Sequence, residues 1–97
     1  MTEQKSNAED IDLVHSTTRD ALKRYAKLRP RDRGLLRHLA ELLRNCDIDG
    51  YQAITEATSR MRLENIQREL EVNSIEEAVE YAERHELFRR WRQTRLW

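Results

Sequence analysis

Between Gly34 and Cys46 the chain reads Gly-Leu-Leu-Arg-His-Leu-Ala-Glu-Leu-Leu-Arg-Asn-Cys, its densest apolar stretch. Leu35, Leu36, Leu39, Leu42, Leu43 and Cys46 recur at three- and four-residue steps, so they share one face of a helix. A small chain must bury so wide a stripe, and every other element is expected to pack against it. Strands would need β-branched and aromatic runs with turn chemistry between them, and the sequence has none. Glycine and proline together number only three, while charged residues make up 37 %. That is the composition of helices whose outer faces are laced with charge. Ninety-seven residues suffice for one modest core. The expectation is therefore all-α: a compact bundle of four to five short helices forming a single domain over residues 1–97. Residues 1–6 read as a flexible polar leader, and residues 87–97 as an Arg/Trp-rich tail.

The local signals place the helices. Ser6 to Glu9 fits a capping box, after which Ile11, Val14, Thr18, Ala21, Tyr25 and Leu28 trace one helical face, with Leu22 beside them. Pro30 should end that helix, because the residue before a proline is pushed out of the helical region. Arg29 to Arg33 reads as a short basic connector, and the leucine-rich helix as running from about Asp32 to Asn45. Asp47 to Gly50 is turn chemistry, with Asp49 expected to cap a helix that begins near Gly50. Tyr51, Ile54, Ala57 and Met61 share one face of that helix. Leu63, Ile66 and Leu70 lie roughly 150° around from them at about 100° per residue, which predicts a break or bend between Ser59 and Arg62. A second turn at Val72-Asn73 precedes another capping box, Ser74 to Glu77, and a small-residue face of Ile75, Ala78, Val79 and Ala82. The phase slips again near His85-Glu86, before an apolar cluster of Leu87, Phe88 and Trp91.

Several function classes find no support. No stretch approaches the roughly 18 apolar residues of a membrane span. The first residues lack the apolar run of a signal peptide, and a lone cysteine matches no disulfide or metal spacing, so a reducing cytoplasm is the expected location. His15, His38 and His85 fall on three different predicted helices with no cysteine or aspartate at the spacing of a nucleophile or metal site. His38 is expected to be a partly buried packing residue and Cys46 a small core residue. There is no Gly-rich phosphate loop, and a fold this small leaves little room for a water-excluding pocket. No enzyme activity, metal or cofactor is expected.

Counted with Gly50 as the sixth position, Asn45 to Glu56 resembles an EF-hand calcium loop. That resemblance implies oxygen ligands from Asn45, Asp47, Asp49, the Tyr51 carbonyl and Glu56. The pattern departs from the family at Asn45, where aspartate is usual, and at Gln52, where an aliphatic residue is usual. No second loop is present to pair with it, and the same residues serve equally as a turn and cap, which is the reading adopted. Arg33-Gly34-Leu35-Leu36-Arg37, with Leu42, Leu43 and Tyr51, is loosely similar to the central helix of the fifteenth small-subunit ribosomal protein, an RNA binder. The similarity covers about a fifth of the chain and lacks that family's His-Asp-Ser cluster, so it is not carried further.

Charge is balanced overall but unevenly placed. From Arg19 to Arg37 eight basic residues stand against Asp20 and Asp32; from Glu64 to Glu86 eight acidic residues stand against Arg68 and Arg84. Such blocks either face each other in the fold or present docking surfaces. The tail adds Arg89, Arg90, Arg92 and Arg95 with no acid, interleaved with Phe88, Trp91 and Trp97. Tryptophan and arginine dominate binding hot spots, so these seven residues are the expected protein-binding set of a small regulatory or adaptor protein. The alternative is a nucleic-acid-binding regulator that neutralises phosphates with Lys23, Arg24, Lys27, Arg29, Arg31, Arg33 and Arg37. A homodimer is compatible with either. A break near Ser59 would also give a pair of helices faintly like a helix-turn-helix, but Glu56, Glu64 and Glu69 on its outer face would repel phosphate.

Overall fold

A computed structural model of the chain describes the backbone of residues 18–95 and the side chains of residues 18–93. The Ser6 capping box, Ile11, Val14, His15 and Trp97 lie outside the described residues. So does the side chain of Arg95. The described residues form six helices and no strand, one helix more than the upper end of the sequence expectation. They are α1 (18–27), α2 (Pro30–Arg44), α3 (Ile48–Ala57), α4 (Arg60–Leu70), α5 (Ile75–Arg84) and α6 (Leu87–Arg95).

Each boundary has a local cause. Arg29 is extended, with φ −65° and ψ 149°, as a residue before proline must be. Pro30 then occupies the first turn of α2, where a missing N–H costs nothing. The sequence reading placed the start of α2 two residues too late, because it took the proline only as a stop signal. Arg31, Asp32 and Arg33 are thus helical rather than connector residues. At the other end of α2, Asp47 N–H reaches the Leu42 carbonyl (2.8 Å) and Cys46 N–H the Leu43 carbonyl (3.0 Å). This closure requires a left-handed residue, and Cys46 supplies it at φ 59°. Cys46 is therefore exposed and off the helical phase that placed it in the core. The cap of α3 is Asp47, whose Oδ1 accepts from Gly50 N–H at 2.9 Å, and not the expected Asp49.

The predicted break is present: α3 ends at Ala57, and Ser59 caps α4 by accepting from Arg62 N–H at 3.2 Å. Ser74 caps α5 through Glu77 N–H at 3.1 Å, while Glu77 Oε2 accepts from Asn73 N–H at 2.9 Å. The reciprocal glutamate bond therefore lands one residue ahead of the cap. Glu86, left-handed at φ 52°, turns the chain from α5 into α6.

The fully buried large side chains are Leu36 and Leu39 of α2, Ile66 and Leu70 of α4, and Leu87 of α6. Each contributes roughly 1.5–3 kcal/mol by leaving water. Leu35, Leu42 and Leu43 flank the α2 stripe and are partly buried, whereas His38 is exposed, contrary to expectation. The stripe centres on Leu36, Leu39 and Ala40, and His38 points away from that set. The hub of the packing is α5, which lies against α2, α4 and α6. Its buried Ala78 and Ala82 leave room for close approach of three neighbours. The leucine-rich helix is central but does not organise the core alone.

Candidate binding cleft at the junction of α1, α2 and α6

Tyr25 lies in the last turn of α1 and is only 2 % exposed, and α6 is laid across its ring. Phe88 meets the Tyr25 ring edge-on at 5.9 Å between centroids and 79°, and Trp91 does so at 5.7 Å and 78°. These are favourable arrangements for aromatic quadrupoles. The helical register of α6 puts Phe88 and Trp91 three residues apart on the face toward the core, leaving Arg89 and Arg92 exposed. Phe88 and Trp91 are therefore docked, while Arg89 and Arg92 of the tail are turned to solvent.

From α2, Arg33 stacks its guanidinium over the Trp91 ring at 4.5 Å. It also donates to the Leu28 carbonyl, and at 3.4 Å to that of Ala26, closing the free end of α1. Arg37 stands one turn further along α2, and Arg92 one residue after Trp91. Together with Pro30 and Gly34, these groups enclose an open cleft of about 330 Å³. Its floor is aromatic and its rim cationic. Burial pushes the Tyr25 hydroxyl pKa up, and the facing Arg33 and Arg37 charges oppose that shift. Among the described residues neither Arg37 nor Arg92 has a carboxylate within ion-pair distance.

The two candidate sets thus meet in one place. Arg33 and Arg37 come from the basic block, Phe88, Trp91 and Arg92 from the tail. Other members are spent elsewhere. Arg24 pairs with Glu71 at 2.6 Å and donates to the Tyr81 hydroxyl at 3.1 Å, so it ties α1 to α5. Arg89 and Arg90 both reach Glu86, Arg90 at 3.5 Å. Lys23, Lys27, Arg29 and Arg31 are exposed, with no acidic partner among the described residues. The opposite blocks do face each other in part, through Arg24–Glu71; just beyond the basic block, Arg44 meets Glu83 at 2.7 Å.

Tyr25, Pro30 and Gly34 escaped the sequence reading as site residues. The usable signal was Gly34, a glycine inside an otherwise strong helix. Also missed was Asp32, only 4 % exposed, whose Oδ1 accepts from Arg62 Nε at 2.9 Å and joins α2 to α4.

The calcium-loop resemblance does not hold in three dimensions. Ile48 to Ala57 is helix, so the Tyr51 carbonyl lies within the helical ladder instead of in a loop. No group of three or more His, Cys, Asp or Glu among the described residues is placed to hold a metal ion. Tyr51 is instead a core residue whose hydroxyl pKa is pushed up to about 12 by burial and by Glu76. No helix among the described residues is long and apolar enough to cross a membrane. Comparison with protein-family models, curated proteins and solved structures finds no match to this chain.

Proposed function

We propose that this is a small non-enzymatic regulatory or adaptor protein that binds another protein through its charged helical faces. The working surface is the cleft between α2 and α6, rimmed by Arg37 and Arg92, rather than a free Arg/Trp tail. One observation carries this reading: two exposed arginines without acidic partners among the described residues line a cleft with aromatic rings, the pairing that makes hot spots. Among the described residues the polar groups lining the cleft are guanidiniums and a phenol, with no imidazole, thiol or carboxylate, which suits recognition better than proton transfer. Cys46 is an exposed free thiol, in keeping with a reducing cytoplasm.

Photo-crosslinking in cells from position 89 tests the reading. A protein adduct of defined mass is expected, and its loss on combined Arg37→Glu and Arg92→Glu substitution. An adduct indifferent to both reversals would count against the cleft.

Nucleic-acid binding is the second reading, favoured by the exposed Lys23, Lys27, Arg29 and Arg31. Gel shifts with mixed-sequence DNA and RNA decide it. Binding that persists at physiological salt would promote this reading, whereas binding at low salt alone is generic attraction between charges.

A further inference from the structure

Gly34 stands in the middle of the first half of α2, where glycine weakens a helix relative to alanine. The fold does not demand it. Gly34 does not adopt a positive φ, and a Cβ built there meets nothing within 4 Å. Gly50, the other glycine, is different: a Cβ there would fall 2.5 Å from the Asp47 carboxylate that caps α3. Gly34 lines the cleft, beside Arg33 and Arg37. A bare helix position with no neighbour packed on it allows a ligand to approach the backbone closely.

We infer that the cleft receives an apolar anchor side chain from an acidic segment of a partner protein, seated against Gly34 with flanking carboxylates on Arg37 and Arg92. This rests on the protein-binding reading and adds the partner's chemistry to it. The charge follows from the rim, where Arg37 and Arg92 carry no acidic partner among the described residues and Arg33 already serves Trp91 and the end of α1. The apolar anchor follows from the half-buried rings of Phe88 and Trp91, which line the cleft above the buried Tyr25. Guanidiniums set beside such rings match a carboxylate next to an aliphatic side chain. A nucleic-acid strand fits less well, because one face of the Trp91 ring that would stack with a base already carries the Arg33 guanidinium.

The test is an amide chemical-shift titration of the full chain with two capped pentapeptides, Glu-Glu-Leu-Glu-Glu and Glu-Glu-Ser-Glu-Glu. With only two glycines, Gly34 reports on the cleft and Gly50 serves as the remote control. The leucine peptide should move Gly34 and not Gly50, and bind at least about tenfold more tightly than the serine peptide, the scale set by burying one aliphatic side chain. Gly34→Leu should fill the cleft and weaken the leucine peptide at least about tenfold. Gly34→Ala should raise the melting temperature while weakening binding, and it carries the test should Gly34→Leu fail to fold.

Equal affinity for the two peptides, or unchanged affinity after Gly34→Ala, overturns the anchor. If Arg37→Glu with Arg92→Glu still abolishes binding in that case, the protein-binding reading stands without it. No shift at Gly34 with the leucine peptide also overturns the inference, and the crosslink then decides the broader reading separately. A mixed-sequence DNA dodecamer that moves Gly34 where the leucine peptide does not would overturn both.

Discussion

The imidazole of His85 sits at the corner between α5 and α6. Its Nδ1 is 3.2 Å from Thr18 Oγ1, and its ring packs against Tyr81 at 4.8 Å between centroids. Burial, helped by the neighbouring Arg84 and Arg90 charges, holds its pKa below the ordinary 6.5. The unfolded chain then binds the proton more readily than the folded one. His85 consequently contributes stability that is fully present above the unfolded pKa and declines as pH falls through it. Melting wild type and His85→Gln between about pH 5 and about pH 8 should reveal a wild-type advantage that shrinks in acid. A pH-independent difference would mean that the ring titrates as it does in the unfolded chain. Other single residues were misjudged from sequence for a common reason. His38 and Cys46 were assigned by extending the spacing of the leucines, yet spacing fixes a stripe's direction and not its width. Nor does it apply beyond a left-handed residue that has already turned the chain out of the helix.

Helix starts were legible wherever a side chain caps within a few residues. Ser74 holds its expected place, since a hydroxyl accepting from an N–H three residues on needs no help from the rest of the fold. Ser59 caps by the same bond within the expected break, a role not assigned to it from sequence. Asp47 and Asp49 could not be told apart that way, because either can cap and the winner depends on how α2 ends. Once Cys46 completes that ending, Asp47 is the residue poised to accept from Gly50. Asp47→Ala should therefore cost about 1 kcal/mol in chemical denaturation. Asp49→Ala, in the first turn, should lose only the few tenths of a kcal/mol that a carboxylate contributes at a helix N-terminus. Equal losses would return the cap to Asp49. The bends near Ser59 and His85 were visible as phase slips, but whether a slip means a bent helix or two separate ones is decided by tertiary packing. Hence the count of six was not legible.

At the scale of the molecule, the two ends of the described chain are fastened to its middle by contacts that no local pattern announces. Asp32 is buried in α2, and Arg62, thirty residues away, satisfies it. Arg62→Ala should destabilise by about 1–3 kcal/mol, because it strands a buried carboxylate. A loss below about 0.5 kcal/mol would mean that water reaches Asp32 freely. Trp91→Ala should cost about 2–4 kcal/mol, since it removes the edge of Tyr25's packing and the ring under Arg33 together. The cleft was illegible for the same reason: it forms only when α6 meets Tyr25 and α2, from which it is far removed in sequence. That separation has a consequence for how the protein comes to exist. A nascent chain emerges in order, and helices α1 to α5 can assemble their local contacts before Leu87 leaves the ribosome. The cleft cannot, because its α6 wall follows the other described helices in the chain and must close a loop of more than sixty residues back onto Tyr25. Any partner that reads this cleft would thereby ignore copies in which α6 has not yet docked on Tyr25 and α2.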